Sequence, residues 1–254
     1  MIAKTEDEIK NLRIAGKILA EVIASVAKLV KPGVSTAELD LAAEKMIRDK
    51  GAVPAFLGYK PEGASYPYPA TLCVAINDEV VHGIPAEDRI LKEGDIISLD
   101  EGLSYNGYFV DHAVTVCVGK GDEKAKKLLQ ANHEALEAAI DAAKVGGHIG
   151  DIGAAVERVA KKYNVAVVQD LGGHAVGKAV HEKPFVPNEG NEGEGEKLVE
   201  GLVIAIEPMF AEGKGAIKLD KDEWTYRMRD GSRASHFEHT VLLTKNGPEI
   251  LTKL

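Results

Sequence analysis

Apolar residues recur along the chain at two periods, and the switches between them outline the elements. From Thr5 to Val30, Ile9, Leu12, Leu19, Val22, Ile23, Val26 and Val30 fall at helical spacing behind a capping box made by Thr5 and Glu8. The pattern predicts a long amphipathic helix ended by Lys31-Pro32-Gly33. Ser35 and Glu38 form a second box and open a helix through about Arg48 that stops at Gly51, with Asp40 read as a solvated acid on it. Gly, Pro and Tyr dominate from Ala52 to Ala70, an exposed aromatic loop. Thr71 to Ile76 is a short strand, turned by Asn77-Asp78-Glu79 into Val80-Val81-His82-Gly83-Ile84-Pro85. Ser98 to Val118 alternates on both sides of Tyr105-Asn106-Gly107, which reads as a hairpin.

The second half restarts this programme. Glu123 to Ala143 is a long helix, Lys144-Val145-Gly146 matches Lys31-Pro32-Gly33, and Asp151-Ile152 with Ala155 and Glu157 matches Glu38-Leu39 with Ala42 and Glu44. Phe237-Glu238-His239-Thr240-Val241 repeats the order of Val110-Asp111-His112-Ala113-Val114. These correspondences predict an internal duplication with halves of about 1–122 and 123–254 sharing one core, a single domain with a pseudo-twofold site at the junction. Asn188 to Glu196, NEGNEGEGE, reads as a solvated loop and nothing more.

Within this frame the acids are out of place. Asp100, Asp111 and Glu238 lie in or beside runs that otherwise look buried, and Glu207 ends Val203-Ile204-Ala205-Ile206. Asp is depleted in strands and costly to bury unpaired, so acids aimed into one interior require a cation or strong donors. A Gly-rich turn supplies imidazoles: Gly172-Gly173-His174 leads through Val180 to His181. Asp100, Asp111, His174, Glu207 and Glu238 make four carboxylates and one nitrogen donor, a set suited to Mn, Fe, Co or Zn. Four negative charges in one place point to two divalent cations, held roughly 3.5 to 4 Å apart by shared acids. HExxH, GxSxG and Walker patterns are absent.

Composition narrows the partners. A chain of 254 residues buries about 70 to 75% of its unfolded surface. Its net charge of -9 lacks the basic stripe of a nucleic-acid footprint. No run is long and apolar enough to span a bilayer, and no secretory leader is visible, so a cytoplasmic location is expected. Cys73 and Cys117 form neither a CxxC pair nor a bridge framework, as expected in a reducing compartment. Neither half leaves an unmatched apolar face, and a monomer is expected.

The ordered acid, acid, His, Glu-Pro and Glu-His elements resemble the type I methionine aminopeptidases, over nearly the whole chain. The resemblance implies an α+β pita-bread fold, with an inner antiparallel sheet and outer helices in duplicated halves. It implies a two-metal aminopeptidase removing N-terminal methionine from nascent chains, with a small second residue preferred and ribosome contact plausible for such a substrate. By the same resemblance Asp100 holds one metal, His174 and Glu207 the other, and Asp111 and Glu238 bridge. His82 falls near the scissile amide nitrogen, and His181 on the substrate carbonyl. Tyr59, Tyr68, Cys73 and Trp224 fall where the family builds its methionine pocket. The chain departs from the pattern at Glu101-Gly102 after Asp100, at Val180 in place of an aromatic, and at an insertion from Lys60 to Pro67. Two rivals stay open: an Xaa-Pro aminopeptidase or prolidase of similar fold and ligands, and a metal-free module binding nascent chains, ribosomes or peptides. The first usually adds an N-terminal domain, whereas a long helix already starts here at Thr5. The second typically loses ligands. A type II enzyme is disfavoured by the short spacing from His174 to Glu207.

Overall fold

In the computed structural model, which describes residues 1–254, the helix periods become four helices and the alternating runs become strands. The first half contains α1 (Glu6–Ala27), α2 (Thr36–Asp49), β1 (Val53–Pro54), β2 (Cys73–Ile76), β3 (Glu79–Val81), β4 (Ile96–Tyr105) and β5 (Tyr108–Cys117). The second contains α3 (Glu123–Ala142), α4 (Ile149–Tyr163), β6 (Ala166–Val167), β7 (Gly172–Ala175), β8 (Glu182–Pro187) and β9 (Val203–Ile206). It continues with β10 (Met209–Ala211), β11 (Ile217–Leu219), β12 (Tyr226–Met228), β13 (Ala234–His236), β14 (Glu238–Thr244) and β15 (Gly247–Ile250).

Both predicted capping boxes form. Thr5 Oγ1 accepts from Glu8 N at 3.2 Å while Thr5 N donates to the Glu8 carboxylate, and Ser35 and Glu38 repeat the exchange at α2. These bonds satisfy amides that the helix itself leaves open. Leu12, Ala15, Leu19, Val22, Ile23 and Val26 occupy the buried stripe of α1, which packs on β4 and β5. In the second half Leu128, Leu136 and Ile140 of α3 and Ile152 and Val156 of α4 enclose a second core with Ile204 and Val241.

A nine-stranded sheet joins the halves in the order β1-β4-β5-β14-β9-β7-β8, with β2 added on β4 and β15 on β14. All its pairings are antiparallel. The β4–β5 hairpin closes at Asn106 and Gly107, both at positive φ (51° and 78°), the conformation that a tight two-residue turn requires. β5 and β14 meet at the centre, where His112 pairs with His239 and Ala113 with Glu238.

Three sequence expectations fail here, the first being the exposed aromatic loop from Ala52 to Ala70, which buries Phe56, Tyr68 and Ala70 in one apolar cluster. Asp40 is half-buried, and its Oδ1 accepts from the amides of Thr71 and Leu72 at 2.9 and 2.8 Å, so it anchors the entry to β2. A helix acid facing a neighbouring loop instead of water has no sequence mark. The acidic loop is likewise more than a solvated excursion. The carbonyls of Glu194 and Glu196 accept from the first amides of α4, Gly150 and Ile149, at 3.0 and 2.9 Å. Backbone carbonyls cap this helix where a side chain caps the others, and composition cannot reveal that.

Candidate metal centre and substrate cleft

The pleat sorts the central side chains onto two faces. Cys73, Asp100, Ala113 and Glu238 stand in one register row across β2, β4, β5 and β14. Asp111 lies two residues before Ala113 on the same face of β5, and His174 pairs with Ala205 on β9, two residues before Glu207. The opposite face receives Glu101, His112 and His239.

The acids and the imidazole converge. One donor atom each from Asp111, His174 and Glu238 lies within 4.8 Å of the others, and all three residues are buried. His174 Nε2 is 3.5 Å from Glu207 Oε1 and 3.9 Å from Asp111 Oδ2. No lysine or arginine pairs with any of these carboxylates. Burial, then mutual repulsion, holds Asp100, Glu207 and Glu238 well above the usual carboxylate range, and burial lifts Asp111 to about 7. Burial, then the neighbouring His181, drops His174 to about 3.

The donor set fits divalent cations. His174 Nδ1 faces its neighbour's carbonyl, Ala175 O, at 3.1 Å; a proton there leaves the Nε2 lone pair turned to the acids, as a ligating histidine requires. Glu238 Oε1 is buried with no hydrogen-bond partner. Asp111 is fixed through its backbone, its amide donating to Thr240 Oγ1 and its carbonyl accepting from the same hydroxyl, both at 2.8 Å. Asn188 Nδ2 donates to the Glu207 carbonyl at 3.0 Å.

The cluster lies in a cavity of about 550 Å³, which every site residue named from the sequence helps to line. His82, at the end of β3, holds a left-handed backbone (φ 58°), and its ring stands edge-on to Trp224 and Tyr226 at 6.3 and 6.0 Å. Gly83 follows because a Cβ there would meet the Val74 carbonyl at 2.0 Å. Burial lowers His82 to about 4, so it is neutral at pH 7. His181 sits at the mouth, with its ring 4.4 Å from His174 and its Nδ1 2.9 Å from the Tyr59 hydroxyl.

Tyr68, Cys73 and Trp224 form an apolar wall with Phe56, Ala70 and Val180. Tyr68 is tied down by its hydroxyl, which donates to Gly83 O at 2.8 Å. Val180 is buried behind this wall and does not line the cavity. The loop from Lys60 to Pro67 closes where Tyr68 N donates to Tyr59 O at 2.8 Å, and it brings Tyr66 edge-on to Trp224 at 6.2 Å.

Sequence reasoning missed Phe56, Leu171, Phe185 and Met209 in the cavity lining. It also missed His236, whose Nε2 is 3.2 Å from Glu207 Oε2. The apolar residues carry no distinguishing mark. His236 does: it stands two residues before Glu238, which in extended chain puts both on one face.

Buried acids around one imidazole, on the central strands of a mixed helix and antiparallel-sheet fold and open to an apolar cleft, define the class as a metal-dependent hydrolase. The chain belongs to metallopeptidase family M24, whose model matches residues 10–245. It is 49% identical over 252 residues to the methionine aminopeptidase of Aquifex aeolicus, covering 98% of each chain. The crystal structure of methionine aminopeptidase from Thermotoga maritima matches with a TM-score of 0.95 and 40% identity over 100% of both chains. Prolidase from Pyrococcus furiosus shares the fold at a TM-score of 0.77 and 25% identity, over 100% of this chain and 66% of that one.

Proposed function

We propose that this chain is a two-metal aminopeptidase that removes methionine from the free N-terminus of nascent proteins and peptides, with a small second residue preferred. The observation that carries the reading is the set of buried acids without cationic partners beside His174, at the end of an apolar cleft. The same reading takes residues 1–254 as one catalytic domain built from two halves.

Asp100 would hold one cation and His174 with Glu207 the other, while Asp111 and Glu238 would be shared; Co, Mn, Fe and Zn all suit these donors. When bound, the cations supply Lewis acidity and make water a nucleophile at neutral pH. The remaining work falls to this chain's own groups. A Tyr59 hydroxyl proton directed at His181 Nδ1 sets the tautomer that carries the other proton on Nε2, which then donates to the substrate carbonyl as charge develops on it. His82 is neutral at pH 7, so it serves the scissile nitrogen as a neutral hydrogen-bond partner and not as an imidazolium acid. Tyr59, Tyr68, Cys73 and Trp224 present no charge to the first side chain, and their polarizable surfaces suit an unbranched thioether.

A cytoplasmic monomer acting on emerging chains, near the ribosome, fits the substrate. No helix is long and apolar enough to cross a membrane. The test is a ranking of kcat/KM over Met-Ala, Met-Leu, Leu-Ala, Ala-Pro and N-acetyl-Met-Ala peptides after Mn or Co is added to apo protein. Met-Ala should lead and the acetylated peptide should resist. Preference for Ala-Pro would replace this reading with the prolidase-like one.

A further inference from the structure

The ligand set leaves one imidazole in the site unexplained. His236 ends β13 and is 1% exposed, yet neither ring nitrogen has a hydrogen-bond partner. Its Nε2 is 3.2 Å from Glu207 Oε2 and 3.9 Å from Glu238 Oε2, off the line of a hydrogen bond in both cases. The backbone beneath it is held on both sides by Thr115, whose hydroxyl accepts from His236 N at 2.9 Å and donates to His236 O at 2.7 Å. A clamped backbone under an unpartnered buried ring is a side chain aimed at something, because buried polar groups in folded proteins are otherwise paired.

We propose that His236 is a positioning residue for Glu207: a modest turn of its ring, which no hydrogen bond restrains, brings Nε2–H onto Oε2 and presents Oε1 on the side of His174. The two contacts divide the carboxylate cleanly: His174 Nε2 faces Oε1 at 3.5 Å and His236 Nε2 faces Oε2. A neutral imidazole suits the task, because it favours the ionised carboxylate without adding a positive charge to compete with a cation. Partners of this kind orient metal-binding carboxylates, and their loss typically weakens affinity about 10- to 100-fold.

The proposal rests on Glu207 and His174 binding a cation, and the experiment separates the two claims. Apo wild type, His236→Gln and His236→Met are titrated with Mn(II) by calorimetry, with thermal unfolding of each apo protein as the check on folding. Gln and Met have similar length, and only Gln carries a donor. His236→Gln should bind within about threefold of wild type, while His236→Met should lose about 10- to 100-fold at one site. The visible spectrum of the Co(II)-loaded Gln variant should match wild type, since no ligand is removed. Equal affinities for Gln and Met overturn the proposal, and a Gln spectrum showing a lost nitrogen ligand makes His236 a ligand instead. Wild type that binds no Mn(II) removes the metal-centre reading and this proposal together.

Discussion

The two faces of the central strands bury polar groups in different ways. On the outer face His112 and His239 stack with ring centroids 4.6 Å apart, and each has a partner: His112 Nδ1 contacts Glu238 O, and His239 Nδ1 lies 2.9 Å from Thr252 Oγ1. On the inner side Glu238 Oε1, and both nitrogens of His236 on the adjoining strand β13, have none. Neighbouring polar residues on the two sides of the sheet thus divide into groups whose bonds are complete and groups whose bonds await a ligand. Glu101 is the outer-face exception, 0% exposed with both oxygens unpartnered, and burial, then the nearby Asp100, raises its pKa well above the carboxylate range. Burial alone does not mark a functional polar group. Convergence of several unpaired ones does.

Breaking the inner face should have the largest effect. Asp111→Asn and Glu238→Gln should each lower kcat/KM by on the order of a thousandfold or more, with loss of bound metal, because the ligands act as a unit and must be ionised. Asp141→Asn, an exposed acid on α3, should leave both unchanged. Next come the histidines outside the ligand set. His82→Ala and His181→Ala should lose about a hundredfold to a thousandfold in kcat and retain metal, which elemental analysis of the purified variants would check. Since His82 titrates near 4, it stays neutral as the pH rises, so kcat should show no fall between pH 6 and 8 from its deprotonation.

Changes away from the inner face should register as stability or selectivity. Asp40→Ala leaves the amides of Thr71 and Leu72 without their acceptor and should cost about 1–3 kcal/mol in denaturant unfolding. Asp40→Asn, which keeps an acceptor, should cost less. Val180→Phe, behind the pocket wall, should have the smallest effect, changing the Met-Ala to Leu-Ala ratio by about tenfold or less.

The legible parts of this molecule were those with local physical signatures. Helices α1 and α2 begin one residue after their predicted caps, and α3 begins at its predicted first residue, Glu123, because capping boxes and apolar stripes are short-range features. The Asn106-Gly107 turn followed from its need for positive φ. Asp100, Asp111, Glu207 and Glu238 stood out because acids in apolar strands are costly, while their roles as ligands came from the family resemblance. Asp40, the carbonyl caps from Glu194 and Glu196, and the pocket residues Phe56, Leu171, Phe185 and Met209 depend on contacts distant in sequence. Nothing in their immediate neighbours announces them. His236 lies between these cases: the spacing to Glu238 was readable, but a histidine beside an aromatic in a strand is unremarkable until its nitrogens are seen to lack partners.

The most direct test of the account is methionine release from a Met-Ala-Ser peptide by apo protein titrated with Mn(II), with bound metal measured at each point. Activity absent without metal, rising with occupancy and reaching its plateau at two ions per chain, is the predicted result. Undiminished release by protein shown to be metal-free would contradict the reading of the inner-face acids as a metal centre.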